Sequence, residues 1–343
     1  MDQAYSQVDS SNNQRTHQLA LLVANAAIVL VLIVVLMGGW TRINDAGLSC
    51  PDWPGCFGQI GVPNTELEIK AANELYPKVL VEEGKGWLEM IHRYLAGSLG
   101  LLILCLAVIS IPMRKSAAYP HLLSIGLLIL VIFQAMLGMW TVTLKLLPII
   151  VTAHLFGGLL TTVLLFLLKF KLQANYVLFK KWKRKNYILL GGLVLLFMQV
   201  LLGGWTSSNY AGWGCSDWLA CNPSLDIKYN FYSAFNVTFD TTYSHQGGTL
   251  GIEQRGAIQI LHRLGALAVF IYFLAAFVLV DRKENYWKVS LTALLLVVLQ
   301  IVFGFANVIW SFPASLAMGH HLLALALLVA STLMLVKSFE LST

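Results

Sequence analysis

Residues 87–97 read WLEMIHRYLAG, and the phrase returns at 257–267 as AIQILHRLGAL. Each copy stands where a long polar loop turns into an apolar run. Each therefore carries a histidine, His92 or His262, into the mouth of a membrane helix. Glu89 precedes His92 by three residues, which on a helix places carboxyl and imidazole on one face. Ionisable groups are costly at that depth, so they point to function. Gln259 stands where Glu89 stood. The chain thus contains two copies of one site, and only one copy keeps the acid.

Composition sets the class around this stretch. Hydrophobic residues make up 57% and charged residues 12%, against about 25% charged in soluble domains. Apolar runs of membrane-crossing length recur at 19–40, 92–112, 121–142, 151–171, 187–206, 262–281, 287–309 and 315–337. The expectation is an all-α polytopic membrane protein with eight transmembrane helices. The net charge of +6 reflects basic loops and gives no ground for a nucleic-acid partner. Arg15, Arg114, Lys115, the cluster between 169 and 185, Arg282, Lys283, Lys288 and Lys337 all fall on one side if the helices alternate. The positive-inside rule then makes both termini cytoplasmic and turns the loops 41–91 and 207–261 outward. The first apolar run is too long for a signal-peptide core, and little positive charge precedes it.

The chain is also duplicated. Residues 37–56, MGGWTRINDAGLSCPDWPGC, match 202–221, LGGWTSSNYAGWGCSDWLAC. They share GGWT, a Gly and Cys-x-Asp-Trp-x-x-Cys, and weaker echoes stand at QAMLGMWTVT and QIVFGFANVI. The expected organisation is a disordered cytoplasmic N-terminus at 1–18, a four-helix half at 19–171 and a basic link at 172–186. A second half at 187–337 and a tail at 338–343 complete it. An even number of helices per half gives both copies one orientation, related by a pseudo-two-fold axis along the membrane normal. Residues 64–86 read as a short amphipathic outer helix.

His92, His154, His262 and His320 or His321 open the even-numbered helices in this reading. Aligning Pro148 with Pro313 favours His320, although the spacing differs by one residue. Two such histidines on facing helices can ligate a metal from both sides, and neutral imidazoles at both axial positions hold a haem. The bland alternative for any one histidine is a hydrogen bond to a neighbouring carbonyl. Arg93 and Arg263 follow two of these histidines and could pair with propionates, or could simply reach the interface. Glu89, in partly apolar surroundings, could transfer protons or stabilise a developing cation, or could orient His92. His17 and His245 read as loop surface residues and His121 as a cytoplasmic one. Cys50 with Cys56 and Cys215 with Cys221 form two pairs in outward loops, read as local disulfides. Loop staples and a redox-active exchange both remain open for them. Cys105 reads as an apolar filler.

Taken together, GGWTRINDAGLSCPDWPGC, Glu89-x-x-His92, the AHLFGG of helix four, the HRLGA of helix six and the doubled plan resemble the haem A synthase family over about 19–337. The cysteine pairs match the branch of the family that has them. The resemblance implies oxidation of the C8 methyl of haem O to a formyl group, through hydroxymethyl and hydrated-aldehyde stages, giving haem A for cytochrome oxidase. It implies haem b as cofactor on His262 and His320, substrate haem on His92 and His154, and Glu89 as the acidic catalytic residue. It implies a bacterial inner membrane with haem sites toward the outer face. A haem O synthase, oxidase assembly factors and a second copy of the chain are the partners to consider. The competing readings are a b-type dihaem electron-transfer cytochrome, which leaves Glu89 unexplained, and a transporter, which would place its polar groups near the midplane.

Overall fold

The computed structural model describes residues 2–114, 119–174, 182–237, 239–279 and 286–340. Lys115, Lys180, Lys181, Arg282 and Lys283 of the basic loops lie outside them. Nine α-helices and no strand occur among the described residues. They are α1 (Asp2–Ile43), α2 (Glu66–Leu75), α3 (Glu83–Ser110), α4 (His121–Thr143), α5 (Pro148–Ala174), α6 (Arg184–Ser208), α7 (Ile252–Leu279), α8 (Tyr286–Ile309) and α9 (Ala314–Glu340). All but α2 are long and apolar enough to cross a membrane. Eight crossings follow the eight apolar runs, as composition requires.

The helix ends differ from the sequence reading. Helices α3 and α7 begin at Glu83 and Ile252, about ten residues before the apolar runs. His92 and His262 therefore sit in the third turn, not at the opening. The reason is that Trp87-Leu-Glu-Met and Ile252-Glu-Gln-Arg are sound helix formers, whereas hydropathy registers only the apolar part. The first helix likewise starts at Asp2, where the polar sequence reads as a disordered tail; extending an existing helix gains a backbone bond per residue. His17 accordingly stands on α1 rather than in a loop.

Outside the spans, α2 carries its own start signal. Thr65 Oγ1 accepts from the Glu68 amide at 3.3 Å, and Glu68 Oε2 accepts from the Thr65 amide at 3.1 Å. Pro148 opens α5, where its missing N–H costs nothing.

Helices α1, α3, α4 and α5 pack in a closed ring, and so do α6, α7, α8 and α9. The rings meet where α6 lies on α5 and where α9 lies on α1 and α5. Val31, Leu106, Leu165, Leu168 and Leu328 are fully buried in the shared core. At one end polar contacts cross the same seam. Arg42 Nη1 pairs with Asp45 Oδ1 at 3.0 Å, the guanidinium lies 4.1 Å over the Tyr210 ring, and the Tyr210 hydroxyl donates to Asp45 Oδ1 at 2.6 Å. Left-handed backbone recurs at matching places: Asp45 (φ 49°) and Tyr210 (φ 52°), then Lys145–Leu146 (51°, 61°) and Ser311–Phe312 (57°, 59°).

Candidate functional site

The four histidines form two facing pairs. His92 on α3 and His154 on α5 have ring centroids 6.5 Å apart, and His262 on α7 and His320 on α9 repeat that 6.5 Å. Each pair bridges helices that stand diagonally in their ring, so the imidazoles face one another across a bundle interior. A metal bonded at about 2 Å to each imidazole needs ring centres about 6 Å apart, once each ring's own radius is added. Both pairs fit that requirement. No group of three or more His, Cys, Asp or Glu able to hold a metal exists among the described residues. A metal held here would bring its remaining ligands with it, as haem iron does.

Glycines set the depth of the four rings. A methyl group on Gly38 of α1 would lie 2.9 Å from His92 Cε1. On Gly203 of α6 it would lie 3.2 Å from His262 Cε1. Gly138 of α4 and Gly304 of α8 put it 3.4 Å from His154 Cε1 and His320 Cε1. Every histidine thus rests on a glycine of a neighbouring helix; at Gly38 and Gly203 a side chain would crowd the ring, and at Gly138 and Gly304 it would just touch it. The second glycine of each GGWT serves the seam instead: Gly39 meets the His321 ring and Gly204 meets Leu155. His321 turns to the other half, its Nε2 3.1 Å from the Val35 carbonyl of α1, while His320 faces His262. The sequence reading missed these glycines. The signal was present as a glycine four residues after Val34, Gln134, Gln199 and Gln300.

Glu89 is buried, at 4% exposed, with a defined partner set. Its Oε2 accepts from the Cys50 amide at 3.0 Å, and its Oε1 pairs with Arg93 Nη2 at 2.5 Å. Gln259 is equally buried and donates to the Gly212 carbonyl at 3.1 Å. The disulfides Cys50–Cys56 and Cys215–Cys221 are both formed. Each closes a small ring whose carbonyls hold the arginine that follows a site histidine. Arg93 Nη1 donates to the carbonyls of Asp52 (3.0 Å), Pro54 (3.2 Å) and Gly55 (2.5 Å). Arg263 Nη2 donates to the Asp217 carbonyl at 3.0 Å, and its Nη1 is buried without a partner. Both terminal nitrogens of Arg93 are therefore engaged by protein, whereas Arg263 keeps one to offer.

The aspartate of each Cys-x-Asp motif organises its ring. Asp52 accepts from the amides of Phe57 (2.6 Å) and Gly58 (2.9 Å), and Asp217 from those of Leu219 (2.8 Å) and Ala220 (2.7 Å). The Ala220 and Leu219 amides hold the Asp217 carboxyl below the usual carboxylate range. Two other sequence readings change. His245 is buried, 3% exposed, because its amide donates to the Lys145 carbonyl at 3.0 Å and ties the second long loop to the α4–α5 link. Cys105 is exposed rather than packed inside.

Residues 21–332 match the COX15-CtaA family model, described as cytochrome oxidase assembly protein. The chain is 39% identical over 298 residues to a heme A synthase of Shewanella oneidensis, covering 86% of this chain and 89% of the relative. It is 30% identical over 335 residues to a heme A synthase of Caulobacter sp. strain K31, at 89% and 91% coverage. A heme A synthase of Bacillus cereus is 23% identical over 306 residues, at 85% and 84% coverage.

Proposed function

Because the chain belongs to the COX15-CtaA family of cytochrome oxidase assembly proteins, we propose that its two histidine pairs divide the work of a haem A synthase. Haem O is the substrate, haem A the product, and the reaction an oxidation carried out in a multi-pass membrane protein. In this reading His92 and His154 receive haem O, and His262 and His320 hold haem b. The observation that carries it is two histidine pairs of equal spacing, with a carboxyl beside only one of them.

Bound haem supplies the electron-accepting centre that the oxidation needs. The protein's part is placement and proton handling. The facing imidazoles would hold the haem between diagonal helices. The Glu89 carboxylate, held by Cys50 and Arg93, is the group in half one able to accept protons released during oxidation. Gln259 keeps a hydrogen bond in half two but cannot exchange a proton. Arg263 Nη1 is suited to a haem b propionate; Arg93 would reach one only by leaving its present partners.

The same reading makes 19–171 and 187–337 two tandem halves about an axis along the membrane normal, with both termini cytoplasmic. Formed disulfides at the opposite face support that orientation, since thiols oxidise outside the cytoplasm. Delivery by a haem O synthase, hand-over to oxidase assembly factors and self-association belong to the proposal as routes for substrate and product. The test is to purify the protein, extract its haems and identify them by chromatography and mass. Haem b together with haem O or haem A is expected. Haem b alone at about two per chain would instead make this a dihaem electron-transfer cytochrome.

A further inference from the structure

The two halves are near copies, so a difference at matched positions around the ligand histidines is informative. The GGWT register places Val34 of α1 where Gln199 stands in α6, and the His-Arg register places Leu95 of α3 where Gly265 stands in α7. In the second half, Gln199 Nε2 lies 3.1 Å from His262 Nδ1 and donates to the His262 carbonyl at 2.9 Å. The amide fits only because residue 265 is glycine; a methyl group there would run into Gln199 Oε1. In the first half, Val34 and Leu95 offer no polar side chain; no side chain bonds the buried His92 Nδ1, and the polar group beside that ring is the Val34 carbonyl. Gln134 and Gln300 occupy the same register on α4 and α8. Yet the Nδ1 atoms of His154 and His320 are also buried without partners. Among the four, His262 alone has a side chain on its second nitrogen.

We propose that Gln199 is a positioning residue that makes His262 the ligand of a permanently held haem, while Val34 and Leu95 in its place leave His92 able to take up and release a haem. The inference rests on the assignment of haem b to His262 and His320. A hydrogen bond to the far nitrogen of a ligating imidazole fixes the ring and raises its basicity, and removing such a partner typically costs about ten- to a hundred-fold in affinity. The amide serves both states of the ring. Its nitrogen donates to the bare Nδ1; when Nε2 binds iron and Nδ1 carries the proton, Gln199 must present its oxygen to Nδ1–H and give up the bond to the His262 carbonyl. A substrate site gains nothing from that grip, because product must leave it. A cofactor site gains retention and a lowered, stable reduction potential.

The experiment uses the full chain in detergent. Gln199→Leu should transfer haem b to excess apomyoglobin about tenfold faster or more, and raise the midpoint potential of the remaining haem b. The reciprocal variant Val34→Gln with Leu95→Gly should slow haem loss from the first half by a similar factor. It also keeps the proposal testable if Gln199→Leu fails to fold. Unchanged transfer rate and potential in Gln199→Leu, or unchanged retention in the reciprocal variant, would overturn the proposal. A His262→Ala control separates the two levels. Loss of haem b there upholds the haem assignment whatever Gln199 does, and full retention there would fault that assignment itself.

Discussion

Replacing each of the four seating glycines by alanine gives a graded test of the haem-binding geometry. Ordinary carbon contacts lie at about 3.5–4.0 Å. The new methyl would stand 2.9 Å from His92 at Gly38, 3.2 Å from His262 at Gly203, and 3.4 Å from His154 and His320 at Gly138 and Gly304. His92 must therefore withdraw by roughly 0.6 Å or more, and His154 and His320 by roughly 0.1 Å. Overpacking of this kind costs about 1–3 kcal/mol, and each ~1.4 kcal/mol is tenfold in binding. Gly38→Ala should weaken haem O binding by tenfold or more, with Gly138→Ala well below that. Gly203→Ala should lower haem b retention more than Gly304→Ala. Gly97→Ala, where nothing lies within 4 Å, is the control. The assays are haem content, the low-spin optical spectrum and substrate titration in detergent. Equal effects at all four positions, or Gly38→Ala behaving as wild type, would refute the seating argument.

Other outcomes follow from the same geometry. Glu89→Gln should spare haem binding and reduce turnover by about a hundred-fold or more, as loss of a general base does; normal turnover would remove Glu89 from the chemistry. His320→Ala should abolish the low-spin haem b spectrum while His321→Ala keeps it, since His321 bonds the Val35 carbonyl; the reverse pattern would exchange their roles. Replacing Cys215 and Cys221 by serine should lower the unfolding temperature, the bridge contributing about 2–4 kcal/mol; a loss of turnover at unchanged stability would instead favour redox exchange. The folded-state carboxyl of Asp217 titrates below its unfolded value, so its contribution is present above the unfolded range near pH 4 and is lost as pH falls through the folded value. Asp217→Asn should flatten acid destabilisation in that window; an unchanged acid limb would show the carboxyl to be uncoupled from folding.

The eight crossings and the four histidines were legible because apolar runs and paired His positions are one-dimensional patterns. The helix starts at Glu83 and Ile252 were not, since hydropathy averages across the polar outer turn that these helices continue into. The choice between His320 and His321 came from proline register alone, and the contacts that separate them lie on α7 and on α1. Arg93 looked free for an anion because nothing in its neighbourhood along the chain announces carbonyls contributed from 52–55. His245 looked exposed because a loop sequence does not reveal which link it fastens. The repeated Gly pairs were visible as a motif, but their purpose needed the facing helix.

Those carbonyl rings make the bridges more than fasteners. In chemical terms, Arg93 sits in a small crown of oxygen atoms whose shape is held by one sulfur–sulfur bond, whereas Arg263 meets one oxygen of its ring. Opening Cys50–Cys56 would slacken the crown around Arg93, loosen the Cys50 amide from Glu89 and release charge one residue from His92. If His92 and His154 receive haem O as proposed, one sulfur–sulfur bond thus bears, through a single guanidinium, on the substrate pair.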